Sequence, residues 1–360
     1  MKAITNTKYV KNLFFLAILL FSATAVVAQE EEESKPKFSF SGSVDAYYRA
    51  NLNGDNGFDE TTGSPTTAPG SSFANLPGFA LGMANVIGAY EGEKVGFVAD
   101  LVFGPRGTDA IFASPMYSAT GNIVNQLYAY WNVSDAVTLT FGNFNTFLGY
   151  EVISPVANFN YSTSYLFSYG PFSHTGLKAD FALSDDFSLM LAVMNPTDLT
   201  ELNPTGQYAW GAQLGYSGQY LNLLIDNGSY EVDFTGGFDL SDTFFLGLNA
   251  AYFDGDEDDG VGSFAGLAVY PQLATSDNFS IGLRGEYFAE TDFFGAVGGS
   301  DADGDASVFA VTLTGSATIG DLIIKPELRL DSASEEVFID NDGNPIGGLS
   351  SFVLAAVYSF

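Results

Sequence analysis

The last ten residues alternate. Phe352, Leu354, Ala356, Tyr358 and Phe360 fall on one side, and Ser351, Val353, Ala355, Val357 and Ser359 on the other. An apolar two-residue period that runs to a terminal aromatic residue predicts the closing strand of an outer-membrane β-barrel. One face of such a strand meets lipid and the other meets a lumen. In hydrocarbon every backbone N–H and C=O needs a partner, so a membrane protein built from strands has to close on itself.

The beginning of the chain agrees with its end. Residues 1–28 read as a secretory signal peptide, with Lys2, Lys8 and Lys11 as the positive region and an apolar run from Leu13 to Val27. Val26 and Ala28 suit a cleavage before Gln29. Removing those residues takes the net charge from −31 to −34, because they carry three lysines and no acid. So negative a chain lacks the basic face that nucleic acid requires. The absence of Cys excludes disulfides, thiolate nucleophiles and Cys-metal sites. With 40 Gly and 15% aromatic residues, the composition suits a turn-rich β-protein with an aromatic girdle. The predicted organisation is a short periplasmic lead-in over 29–37 and a single barrel over 38–360.

Alternation is clearest from Phe38 to Leu52 and returns at Leu127–Val133, Leu177–Leu183, Tyr208–Tyr216, Val232–Leu240, Phe244–Tyr252, Phe279–Tyr287, Phe309–Leu313 and Leu322–Leu330. Short turns recur, four of them as Ser-Asp at 134–135, 184–185, 241–242 and 276–277, and three more near 91–94, 217–218 and 319–321. Longer connections lie near 53–75, 105–121, 146–172, 195–206, 254–262, 289–305 and 332–349, with one tight connection at Asn227–Ser229. Short turns at one end and long loops at the other predict an all-β, antiparallel up-and-down transmembrane barrel. Counting turns gives about 16 strands, with 14 or 18 as alternatives, and both chain ends in the periplasm. One strand, at 76–90, has an ambiguous phase because Asn85 shares a face with Phe79, Leu81, Met83 and Ile87. The competing fold, a soluble β-sandwich or β-solenoid, does not account for the export signal, the aromatic strand ends and the terminal Phe together.

The middle of the chain carries a resemblance. Over residues 143–176, the order of Thr146, Gly149, Glu151, Asn158, Asn160, Tyr161, Ser162, Ser164, Leu166, Phe167, Pro171, His174, Thr175 and Gly176 resembles the OmpL-like putative β-barrel porin family. The closing strand and the segments at 95–103 and 123–133 are similar to that family as well. The resemblance implies a pore in the outer membrane of Gram-negative bacteria and names no solute. Read from its residues, the 146–172 loop is long, rich in Tyr, Phe and Asn, and poor in charge. It is expected either to fold inward and narrow the pore or to pack over the rim.

Five basic residues fall at polar-face positions inside strands: Arg49, Lys178, Arg284, Lys325 and Arg329. A cation on the lipid face near mid-membrane costs about 2–4 kcal/mol, so the phase assigns them to the lumen. Asp45, Asp180, Asp233, Glu286, Glu327 and Asp331 share that face. These eleven are the predicted pore-lining residues. They are expected either to set up a transverse field that screens solutes or to stiffen the wall as salt bridges. Asp100 and Arg106 flank the top of one strand within reach of the pore. Acids outnumber bases, which predicts a weak preference for cations.

Most of the acid excess lies in loops, at 254–259, at Asp301, Asp303 and Asp305, and at Asp340 and Asp342. The Asp-x-Asp spacing resembles the start of a calcium loop but lacks the sixth-position Gly and the twelfth-position acid. No cofactor or dedicated metal site is expected. Loose Ca2+ contact at Asp254, Asp256 and Asp258 is the exception considered. A hydrolase reading fares badly: the one histidine, His174, adjoins Ser173 on a strand, where neighbours point to opposite faces, and no G-x-S-x-G is present. Small inward residues (Ser39, Ser41, Ser43, Ser188, Gly211, Gly215, Gly247, Ala251, Ser280, Gly282) argue against a filled lumen. The expected function is therefore passive diffusion of small hydrophilic solutes or ions, and the alternative is a non-channel barrel such as an adhesin or structural anchor. Expected partners are outer-membrane lipid, the barrel-assembly machinery during biogenesis, and further copies in a homo-oligomer.

Overall fold

The structure, a computed structural model, describes residues 37–59, 61, 63–111, 123–256 and 260–360. The predicted signal peptide and all of the predicted lead-in but Lys37 lie outside the described residues. The alternating segments become strands β1 (Lys37–Asn51), β2 (Gly78–Glu91), β3 (Val95–Phe103), β4 (Val124–Ser134), β5 (Val137–Asn145), β6 (Ser173–Ala182), β7 (Phe187–Met194) and β8 (Ala209–Tyr216). They continue as β9 (Gln219–Asp226), β10 (Ser229–Asp239), β11 (Phe244–Asp254), β12 (Ser263–Ser276), β13 (Phe279–Thr291), β14 (Ala306–Ile319), β15 (Leu322–Ala333) and β16 (Gly348–Ser359). Each pairs antiparallel with its neighbours in sequence, and β16 pairs with β1, so the sheet is a closed barrel of sixteen strands. All seven short turns sit at the end where the chain enters β1 and leaves β16. The connections at the other end are long except for Asn227-Gly228. There both residues take positive φ (47° and 90°), the geometry of a two-residue hairpin.

The terminal aromatic residue seals the seam. Gly42 and Phe360 exchange both backbone hydrogen bonds, at 3.1 and 3.0 Å, and the Phe40 and Phe360 rings lie 6.0 Å apart on the outer face. That face carries an apolar coat that includes Phe38, Trp131, Phe141, Trp210, Leu267, Tyr287 and Leu354.

A bulge resolves the ambiguous strand. Val44 pairs with Ala84 but Ala46 pairs with Leu81, so Gly82 and Met83 together stand opposite Asp45. The extra residue flips the phase. Below the bulge Asn85 and Met83 (3% exposed) face inward, and above it Phe79 (91% exposed) and Leu81 face out. Asp45 holds the kink by accepting a hydrogen bond from the Met83 N–H at 3.0 Å. Its carboxylate occupies the space a β-carbon at position 82 would need, so only glycine fits there.

Candidate functional site: an inward loop held by a charged wall

The site grows from the connection between β5 and β6. Residues 146–172 contain one ionisable acid, Glu151, and no base, so burying them costs little charge desolvation. Most of the segment is buried, including Tyr161, Thr163, Ser164, Tyr165 and Leu166. It carries the five-residue helix α2 (Tyr165–Tyr169), capped by Ser164, whose Oγ accepts from the Phe167 N–H at 3.0 Å. The loop lies against inward-facing side chains of β1, β8, β10 and β11–β15, inside the barrel and not over its rim.

A loop inside a barrel leaves its backbone without ladder partners, and buried N–H and C=O groups must be satisfied some other way. Charged side chains of the wall do this. Glu327 accepts from the Tyr161 and Ser162 N–H groups at 2.9 and 3.2 Å, and from the Ser162 hydroxyl. Glu286 accepts from Tyr165 and Leu166 at 3.0 and 2.8 Å, taking two free N–H groups at the start of α2. Asp233 accepts from Gly149 at 3.0 Å. The cations take the carbonyls. Arg284 donates to Ser162 O at 2.6 Å, Arg329 to Thr163 O at 2.8 Å, and Lys325 to Pro155 O at 2.8 Å and to Asn158 O. From above, Arg106, in the five-residue helix α1 (Pro105–Asp109), donates to Ile153 O at 2.8 Å and to Tyr161 O at 3.1 Å. Its guanidinium sits 4.6 Å from the Phe73 ring centroid.

The loop answers with its own polar groups. Glu151 pairs with Arg284 at 2.7 Å and accepts from Ser164 N–H at 2.7 Å. Asn160 donates to Thr314 at 2.7 Å, and the Tyr161 hydroxyl donates to Asp45 at 2.5 Å. Asn158 closes a local ring with both backbone groups of Val152. The loop is hinged where it leaves and rejoins the sheet: Thr146 Oγ1 and His174 Nε2 are 3.0 Å apart, and His174 is buried in the wall. Gly176 meets the Met194 backbone too closely for a side chain, and Pro171 rests near Glu231 at the return of the loop.

Of the eleven charged positions expected to line a pore, all lie on the inward face and nine are buried. Most of these nine grip the loop. Arg49 instead donates to Asn75 O at 3.4 Å in the β1–β2 loop, and Asp331 fixes Arg329 at 2.8 Å. Lys178 and Asp180 differ. They pair with each other on β6 at 3.3 Å, and their side chains stay 19% and 26% exposed. Asp100 is buried among the amides of Asn85, Asn125 and Gln126.

Three of the small inward residues, Gly211, Gly247 and Gly282, receive side chains of the loop, and Gly266 does the same. These four wall glycines are sockets for the loop's large side chains. A β-carbon at Gly211 would stand 2.6 Å from the Phe147 ring, and one at Gly266 would stand 2.6 Å from Leu166. At Gly247 and Gly282 it would overlap Tyr150 and Phe159. At these four positions the missing β-carbon makes room for the loop's side chains.

A second inward segment escaped the sequence reading. In the β1–β2 loop, Gly70 N–H donates to the Tyr165 hydroxyl at 3.2 Å, and Ser72 bonds both Ser168 and Thr163. Residues 61–77 carry no charge, the same signal that marks 146–172. Glu290 was missed as well; it accepts from Ala296 N–H at 2.5 Å and tucks the β13–β14 loop inward. In the β7–β8 loop, Asp198 accepts from Phe172 and Ser173 at 2.9 and 2.8 Å, and burial pushes its carboxyl up to about 6. In the acid loops, Asp301 and Asp340 bond their own backbone N–H groups two and four residues on. Asp254 accepts from the Tyr252 hydroxyl, and Asp258 lies outside the described residues.

Solved structures share this architecture. The outer-membrane channel DcaP of Acinetobacter baumannii superposes with a TM-score of 0.59 at 13% identity, covering 93% of this chain and all of that one. Salmonella typhi OmpF in complex with daunomycin gives 0.56 at 11% identity, covering 92% and 100%. An anion-selective porin from Comamonas acidovorans gives 0.55 at 10%, covering 91% and 100%. No match is found among curated proteins. One family model spans residues 37–360, the whole barrel, including the loop and the wall that holds it: the chain belongs to the putative β-barrel porin-2, OmpL-like, family of the bacterial outer membrane.

Proposed function

We propose that this barrel is a passive outer-membrane channel for small hydrophilic solutes or ions, narrowed by the 146–172 loop. The observation that carries the reading is the clamp: charged wall residues hold the loop's backbone within the lumen, chiefly along β10–β15. The solute path then follows the wall of β4–β7, where Lys178 and Asp180 remain exposed to one another and to water. A paired cation and anion at the edge of a path orient water and discriminate solutes by polarity. The acid excess favours a weak cation preference, opposite to the Comamonas porin named above.

The extent of loop burial also favours a second reading, a lumen too filled to conduct, with the barrel serving as an anchor or adhesin. Planar-bilayer recording of the refolded protein separates the two. A channel gives discrete conductance steps, and deleting 152–168 raises them. Absence of steps from a correctly folded barrel removes the channel reading. Unchanged conductance in the deletion removes the loop as constriction. Reversal potentials in a salt gradient test selectivity, and clear anion preference contradicts the charge argument.

A further inference from the structure

Both ends of the inward loop meet one strand, β10, at two carboxylates. Glu231 and Asp233 are two residues apart and point to the same inward face. Asp233 is well partnered, accepting from Gly149 N–H at 3.0 Å, from Asn222 at 2.7 Å and from Asn249. Glu231 is not. It is 5% exposed, and its carboxylate has neither a hydrogen bond nor an ion pair among the described residues. The ionisable groups that act on it are acids, Asp233 and Asp198. An ionised carboxylate buried beside like charges is costly unless a counter-charge joins it.

The space for one exists. Glu231, Asp233 and Asn249 line a cavity of about 10 Å³ together with Gly149, Gly170 and Pro171 of the loop. That is room for one water-sized body. No basic side chain lines it. Asn249 spends its amide N–H on Asp233 and on Phe234 O, so its amide oxygen is available as a ligand. No three acidic, His or Cys side chains converge on a metal among the described residues. The donor set is two carboxylates completed by neutral oxygens, which suits a hard cation bound with modest affinity.

We propose that Glu231, Asp233 and Asn249 bind a single hard cation of the calcium class at the root of the inward loop, joining the loop's two ends to β10. The site is distinct from the exposed Asp-x-Asp loops, and it stands whether or not the barrel conducts.

The test is calorimetric titration of the full-length barrel, folded in detergent and stripped with a chelator, with CaCl2. One saturable site per barrel is expected, with Kd on the order of 10⁻⁵ to 10⁻³ M. Glu231→Gln should weaken it about tenfold or more, whereas a triple Asp301→Asn, Asp303→Asn, Asp305→Asn variant should leave it unchanged. Asn249→Asp adds a third carboxylate and should tighten calcium binding several-fold. A side chain with only a structural role would not do so. Folding of each variant is checked by its mobility shift without heating. If Glu231→Gln does not fold, the wild-type stoichiometry and Asn249→Asp decide. No saturable binding at millimolar calcium, binding within twofold of wild type in Glu231→Gln, or no tightening in Asn249→Asp overturns the proposal.

Discussion

The 146–172 loop and the β13–β14 loop leave the same end of the barrel and end up in opposite environments. The first holds one acid in 27 residues and is buried within the wall. The second carries Asp301, Asp303 and Asp305, which stay at the surface, where the Asp301 carboxylate accepts from the Asp303 and Asp305 N–H groups. A nearly neutral loop loses little on leaving water, because the wall's ions replace water at its backbone. An acid-rich loop would have to strip several carboxylates of water, at a far larger desolvation cost. Glu290 marks the boundary: it draws in only the charge-free segment near Ala296 and Val297 and leaves the acids outside. Charge density therefore decides which long connections enter the lumen.

Substitutions can break or sharpen that contrast. The largest effect is expected at Arg284, whose removal as Arg284→Ala leaves Glu151 buried without its ion pair and Ser162 O without its donor. Guanidinium unfolding should show a loss of about 3–5 kcal/mol, with noisier or larger channel steps. Unchanged stability would mean that the wall does not hold the loop. Filling a socket comes next. Gly247→Leu should cost about 1–3 kcal/mol through overpacking against Tyr150, and pairing it with Tyr150→Ala should recover part of the loss. If the double variant recovers nothing, the socket reading fails.

Asp198 gives a smaller, pH-dependent effect. Its folded-state pKa of about 6 lies above the ordinary carboxylate value, so between those two values the folded state binds the extra proton. Stability should then rise as pH falls through 6 toward 4, as the cost of the buried charge is relieved. Asp198→Asn should flatten that slope. A profile across pH 4–7 that matches wild type would contradict the assignment. The smallest effect belongs to the exposed loops. Asp303→Asn should change stability by no more than about 0.5 kcal/mol, and a larger shift would show that these acids are packed and not merely solvated.

Strand number, closure, turn ends and the inward phase of Arg49, Lys178, Arg284, Lys325 and Arg329 were legible in the amino-acid order. Each follows from residues one or two positions apart, and lipid on one face penalises any other phase by kilocalories. The flip at Gly82 was visible only as a conflict, because a bulge is defined by the partner strand and Asp45 sits on that partner. The fate of the lumenal charges was less legible still. Glu327 meets Tyr161 across 166 residues and Arg284 meets Glu151 across 133, and no local period encodes such distances. Outside the bulged strand β2, the sequence determined which side chains face inward, since there the face depends on alternation alone. Only the closed tertiary structure decided what they would hold, because the loop's path depends on the shape of the cavity that the whole barrel creates.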